Sequence, residues 1–166
     1  MAKITLKGNA FQTIGELPAK GTNAPDFELV KNDLSKVSLK DFSGTRLVLN
    51  IFPSLDTGTC AASVRQFNKL AAGLDNTKVL CISRDLPFAQ ARFCGTEGIE
   101  NAITVSDFAS GKFGKDYQLE IENGPLANLH SRVVVVLNES HEVIYSEQVS
   151  EIVDEPNYEA ALDSLK

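Results

Sequence analysis

The sequence predicts an α/β fold, with a central mixed β-sheet flanked by helices and preceded by an N-terminal β-hairpin. Three observations lead there. Apolar runs of strand length, "RLVLNIF", "KVLCIS" and "AITVSD", alternate with segments whose apolar residues follow helical spacing. The first two runs are nearly continuous, the pattern of strands buried on both faces. The last long apolar segment, "RVVVVLNESHEVIYSEQV", reads as two strands around Asn138-Glu139-Ser140, so the alternation of strands and helices finishes with an antiparallel pair.

At the start of the chain, "KITLK" and "AFQTI" flank Gly8-Asn9, a signal for a two-residue hairpin turn. "GTNAPDFELV" reads as a loop through Pro25 into a short strand, and "VSLKDFSG" as a second short strand followed by a turn. "RLVLNIF" stops at Pro53, which cannot donate to a central ladder. From Cys60 the period changes. Cys60, Val64, Phe67, Ala71 and Leu74 follow helical spacing, while Arg65, Asn68 and Lys69 fall off that stripe. "DLPFAQARFCG" reads as a short helix with Pro87 near its first position and Gly95 just beyond its end. After "AITVSD" comes the Gly-rich "FASGKFGKDYQL", and "EPNYEAALDSLK" closes the chain as a helix with Tyr158, Ala161 (or Leu162) and Leu165 inward. The compact solution for this order is a thioredoxin-like fold, expected to form one domain over residues 1–166.

Of the 166 residues 43% are hydrophobic, enough for a full core without disulfide or metal staples. The formal net charge of −6 argues against a nucleic-acid or anionic-membrane binder. No segment approaches the roughly 20 apolar residues of a membrane span. "MAKITLKGNAFQTIGEL" has no continuous apolar stretch of the secretory kind, so a cytoplasmic location is expected. Three cysteines do not make a disulfide framework; an odd, small number points to buried thiols, a metal site or redox chemistry. Metal is the weakest of these, because there is no CxxC and both histidines, His130 and His141, lie far from the cysteines in sequence. The histidines read as ordinary surface residues.

Cys60 is the informative thiol. It stands where strand, loop and helix meet, in "PSLDTGTC". The reactive species is the thiolate, and an unperturbed thiol, with a pKa of about 8.5, is mostly protonated at neutral pH. A helix N-terminus offers unpaired N–H groups and a partial positive charge, which favour the anion. Gly58 lets a ligand approach the backbone closely, and Thr57 or Thr59 could cap the helix or donate to a sulfur or a substrate oxygen. The competing reading is that Cys60 is the first apolar residue on the buried face of its helix. Position suggests a reactive thiol without naming its reaction.

Pro53, Thr57 and Cys60 reproduce P-x-x-x-T-x-x-C, and in this the chain resembles the peroxiredoxins. The longer string "PSLDTGTCAASVRQFN" is similar to the bacterial thiol peroxidase subfamily, the atypical two-cysteine peroxiredoxins. The hairpin, "GTNAPDFELV", "RDLPFAQARFC" and "SRVVVVL" follow in that subfamily's order, so the resemblance covers essentially the whole chain. It implies that Cys60 attacks peroxide and becomes a sulfenic acid. It also implies that Thr57 holds thiolate and peroxide by hydrogen bonding, that Pro53 shields the sulfur, and that Arg132 stands beside the thiolate. Cys94, 34 residues after Cys60, falls where the subfamily carries its resolving cysteine. An intrachain Cys60–Cys94 disulfide, thioredoxin as reductant, a homodimer and no cofactor are further implications. Cys81, inside "KVLCIS", reads as a core residue outside the catalytic set.

Two rivals use the same thiols. A disulfide oxidoreductase normally needs a CxxC pair, but Thr57 and Ser63 stand three residues either side of Cys60. A redox sensor or binding module that switches on oxidation of Cys60 and Cys94 is separated from an enzyme only by turnover.

Overall fold

The computed structural model describes residues 1–166. An antiparallel hairpin of β1 (Lys3–Leu6) and β2 (Asn9–Gln12) leads the chain. Its turn is Lys7-Gly8, one position earlier than the sequence suggested, with Leu6 paired to Asn9. Both turn residues take left-handed backbone, Lys7 at φ 50° and Gly8 at φ 83°, as a two-residue hairpin turn of this hand requires.

The strands β3 (Glu28–Lys31), β4 (Lys36–Ser38), β5 (Arg46–Ile51), β6 (Thr77–Ser83), β7 (Ala102–Ser106), β8 (Val133–Leu137) and β9 (Val143–Gln148) form one mixed sheet. Their order across it is β4-β3-β7-β6-β5-β8-β9. β5, β6 and β7 run parallel, while β3, β8 and β9 add antiparallel neighbours at the two sides. Period-two alternation divides the strand residues between two cores. Leu47, Leu49, Ile51, Leu80, Ile82 and Val135 face one core; Val48, Phe52, Val79, Cys81, Val134 and Val136 face the other. Each such side chain contributes about 1.5–3 kcal/mol when fully buried, so both faces of the central strands need cover.

Helices supply it. α1 (Gly58–Ala71), α2 (Pro87–Glu97) and α4 (Tyr158–Asp163) cover the Val48 face, and the edge-on pair Phe67–Tyr158, with ring centroids 5.0 Å apart, joins α1 to α4. α3 (Lys112–Asp116) covers the other face through Phe113 and Tyr117. This short helix lies inside the Gly-rich segment, where the sequence showed no helical stripe. Asp107 holds its start by accepting from the amides of Phe113 and Gly114. Gly114 is required there, since a Cβ would come within 2.8 Å of the His130 ring.

α2 extends three residues beyond its expected end. Gly98, at φ 66°, is the left-handed cap, and Gly95 lies within the helix. His130 is fully buried, not a surface residue, because the stretch entering β8 passes beneath α3; its Nε2 lies 2.9 Å from Asp107 Oδ2.

Candidate active site

The loop that leaves β5 reaches α1 through residues 53–57, and one carboxylate shapes it. Asp85, just past β6, accepts from the Ser54 hydroxyl at 2.7 Å, the Leu55 amide at 2.8 Å and the Ser83 hydroxyl at 2.7 Å. Nothing in the sequence marks Asp85, since an acidic residue closing a buried strand is a common pattern. The loop then turns at Thr57, the N-cap residue of α1. Its hydroxyl does not cap the helix but donates to the Ser54 carbonyl at 3.1 Å. The first-turn amides of α1 therefore carry no side-chain cap and remain open to an anion.

Cys60 is the third residue of α1, fully buried in the core that α1 covers. Arg132, immediately before β8, donates through Nη2 to Cys60 Sγ at 3.3 Å. Its Nε donates to the Ile152 carbonyl at 2.9 Å, which aims the guanidinium, and its Nη1 has no partner. Arg132 is 2% exposed, yet none of the ion pairs in the structure supplies it with a carboxylate. An isolated buried cation is strongly unfavourable. The one side chain that the Arg132 guanidinium bonds is Cys60.

A cavity of about 370 Å³ opens on this cluster, with Pro53, Thr57, Gly58 and Arg132 in its wall and Leu126 and Ile152 among its apolar residues. A larger hollow of about 570 Å³, between the ends of α1 and α4, is lined by Leu70, Tyr158 and Leu162 and by no cysteine. The smaller cavity is the one that Arg132 links to Cys60, whose sulfur lies buried behind the wall.

The wall of that cavity is tied to the N-terminal hairpin. Glu151 accepts from the Thr5 hydroxyl at 2.7 Å and from the amides of Lys7 and Gly8. Those bonds, the Thr5 hydroxyl first, hold its carboxyl well below the usual range, at about 2. Ile152, the next residue, carries the carbonyl that orients Arg132.

The other thiols lie apart. Cys94, half-buried on α2, borders a separate surface hollow of about 300 Å³ and sits 3.3 Å from Thr104 Oγ1. Cys81 is fully buried, and burial pushes its thiol up to about 12 despite a hydrogen bond from Asn50. Thus the fold places Pro53, Thr57 and Arg132 in the wall of one cavity, with Cys60 buried behind Arg132, and leaves Cys94 outside it.

A family model described as Redoxin matches residues 19–162. The chain belongs to this family. A relative from Corynebacterium glutamicum, "Thiol peroxidase", is 54% identical to this redoxin over 165 residues, 99% of either chain. The crystal structure of a peroxiredoxin-like protein from Aquifex aeolicus superposes with a TM-score of 0.93 at 32% identity, covering 98% of this chain and 95% of that one. A thiol peroxidase from Chromobacterium violaceum shares the fold, with a TM-score of 0.91 at 24% identity over 98% of this chain and 94% of that one. The architecture is the thioredoxin-like peroxiredoxin fold, with its central mixed sheet and N-terminal hairpin.

Proposed function

We propose that this redoxin is a thiol-dependent peroxidase that acts through residues 1–166 as one domain and reduces hydrogen peroxide and organic hydroperoxides. The observation that carries the reading is the buried Arg132 guanidinium, unpaired by any carboxylate and bonded to Cys60 Sγ at 3.3 Å. Such a group favours the thiolate and can hold the peroxide whose O–O bond breaks. Cys60 sulfur attacks one peroxide oxygen; the other leaves, takes a proton, and departs as water or alcohol. Cys60 is left as a sulfenic acid. The free Nη1 of Arg132 and the open amides of α1 are positioned to stabilise charge on the leaving oxygen. Thr57 contributes a hydroxyl residue to the cavity wall, and Pro53 helps to exclude bulk water. The apolar part of the wall suits the carbon chain of an organic hydroperoxide.

Cys94 is the proposed resolving residue. Its thiol attacks the Cys60 sulfenic sulfur, the S–O bond breaks, water leaves, and an intrachain disulfide remains. The cysteine pair carries both electrons, so the cycle requires no cofactor. Thioredoxin is the proposed reductant, which places the enzyme in a reducing compartment, the cytoplasm. A homodimer is also proposed, and Leu86, Phe88 and Phe108, all exposed, are candidates for its interface; sedimentation at micromolar concentration tests it.

The test of the enzyme reading is peroxide consumption in the presence of thioredoxin, thioredoxin reductase and NADPH. Many turnovers per chain, lost in Cys60→Ser, support a peroxidase. A single stoichiometric oxidation that thioredoxin cannot reverse points to a sensor instead.

A further inference from the structure

Cys94 has one side-chain hydrogen-bond partner, the Thr104 hydroxyl on β7. That hydroxyl is nearly buried, and it donates its only proton to Asn32 Oδ1 at 2.9 Å. Toward Cys94 it therefore offers a lone pair, and the S–H must be the donor across the 3.3 Å contact. The S–H proton is engaged in this contact, and the sulfur is held against β7. Asn32 lies just past β3, so the chain Cys94–Thr104–Asn32 bolts α2 to two strands of the sheet.

The bolt is not part of the Cys60–Arg132 cluster. Thr104, Cys81, Asn50 and Val134 occupy one row across β7, β6, β5 and β8. Three strand spacings separate the ends of that row, roughly 14 Å. Arg132 stands just before β8, and Cys60 sits on α1, whose Ser63 hydroxyl accepts from Asn50 Nδ2 on β5. Cys60 and Cys94 are both free thiols, Cys60 held by Arg132 and Cys94 by Thr104, so a disulfide between them, which needs Cα atoms within about 7 Å, has to loosen that hold.

The surroundings of Cys94 show which part can move. Buried Gln90 pins the front of α2 by donating to the Val105 carbonyl at 3.0 Å. Beyond α2, Asn68 Oδ1 accepts from the amides of Glu100, Asn101 and Ala102. Between these anchors, residues 91–98 are exposed or half-buried and include Gly95 within the helix. A glycine there weakens the helix relative to alanine.

We propose that Thr104, oriented by Asn32, is a positioning residue that withholds the Cys94 thiol, so that release of this latch limits how fast the Cys60 sulfenic acid is resolved. The proposal rests on Cys94 being the resolving cysteine. While the latch is closed, the sulfenic acid persists and can meet a second peroxide, which carries it to sulfinic acid. When the latch opens, Cys94 sulfur bonds to Cys60 sulfur, and its proton leaves with the sulfenic hydroxyl as water.

The test is rapid-quench oxidation of the reduced full chain by cumene hydroperoxide, followed by peptide mass spectrometry. Wild type is compared with Thr104→Val, Thr104→Ser and Asn32→Ala. Loss of one hydrogen bond should raise the rate of Cys60–Cys94 disulfide formation by roughly two- to tenfold in Thr104→Val, with a matching fall in sulfinic acid at excess peroxide. Thr104→Ser should return to the wild-type rate, which a merely structural role of the β-branched side chain would not produce. Asn32→Ala, at a half-buried position just past β3, should accelerate in the same direction, and it decides the matter if Thr104→Val does not fold. Wild-type or slower disulfide formation in the folded variants would overturn the latch while leaving Cys94 as resolver. A wild-type protein that never forms the Cys60–Cys94 disulfide would overturn the resolving role, and the latch with it.

Discussion

Arg132 Nη2 lies 3.3 Å from Cys60 Sγ in a site where the guanidinium has no carboxylate to balance it. Replacing Arg132 by Met removes the donor along with the charge, and the second-order rate of Cys60 oxidation should fall about 10²- to 10³-fold. Arg132→Lys keeps a charge but cannot donate to both Cys60 and Ile152 with the same planar fork, so it should recover only part of that loss. Stopped-flow measurement with hydrogen peroxide checks both; a Met variant at wild-type rate would remove Arg132 from the chemistry.

Glu151 makes the hairpin sensitive to acid. Its folded carboxyl, at about 2, ionises more readily than at its ordinary 4.5. The tether to Thr5, Lys7 and Gly8 is therefore fully present above about pH 4.5 and is lost as pH falls toward 2. Protection of the Lys7 and Gly8 amides against hydrogen exchange, measured relative to the intrinsic rate at each pH, should fall through that window while the central strands stay protected. In Glu151→Gln the exchange should already be faster at neutral pH and should lose this acid step.

Cys81 should stay silent. Burial holds its thiol near 12, so it remains protonated at neutral pH. Iodoacetamide at pH 7.5 should leave Cys81 unmodified until the chain is unfolded, and Cys81→Ala should consume peroxide within about twofold of wild type, since its buried thiol supplies no reactive anion. Modification of Cys81 in the folded protein would contradict this.

Phe67 carries the packing of α1 on the sheet and of α4 on α1. Phe67→Ala should destabilise the fold by about 3–5 kcal/mol in urea denaturation, and Phe67→Leu by much less.

The sequence made the α1 stripe visible because Cys60, Val64 and Phe67 recur at helical spacing and are the buried side of that helix. The continuous apolar runs likewise marked the central strands. The hairpin turn was misplaced by one residue for a definite reason: moving it from Lys7-Gly8 to Gly8-Asn9 shifts the pairing by two and leaves every side chain on the same face. Hydrophobic pattern is blind to that choice. Gly95 and Gly98 are both plausible helix ends in sequence, and only the left-handed backbone at Gly98 distinguishes them. Arg132 was placed through family resemblance, since a lone arginine at a strand end normally faces solvent. The His130–Asp107 pair and the Thr104 contact with Cys94 join residues distant in sequence and carry no local signature.

The most direct measurement is the fate of Cys60 and Cys94 after one equivalent of cumene hydroperoxide, read by non-reducing peptide mass spectrometry with Cys60→Ser and Cys94→Ser controls. The proposed cycle requires an intrachain Cys60–Cys94 disulfide in the wild type, absent from both variants, with sulfenic or sulfinic Cys60 accumulating in Cys94→Ser. Oxidised Cys60 beside a reduced Cys94 in the wild type would contradict the resolving step, and an unmodified Cys60 would contradict the peroxidase itself.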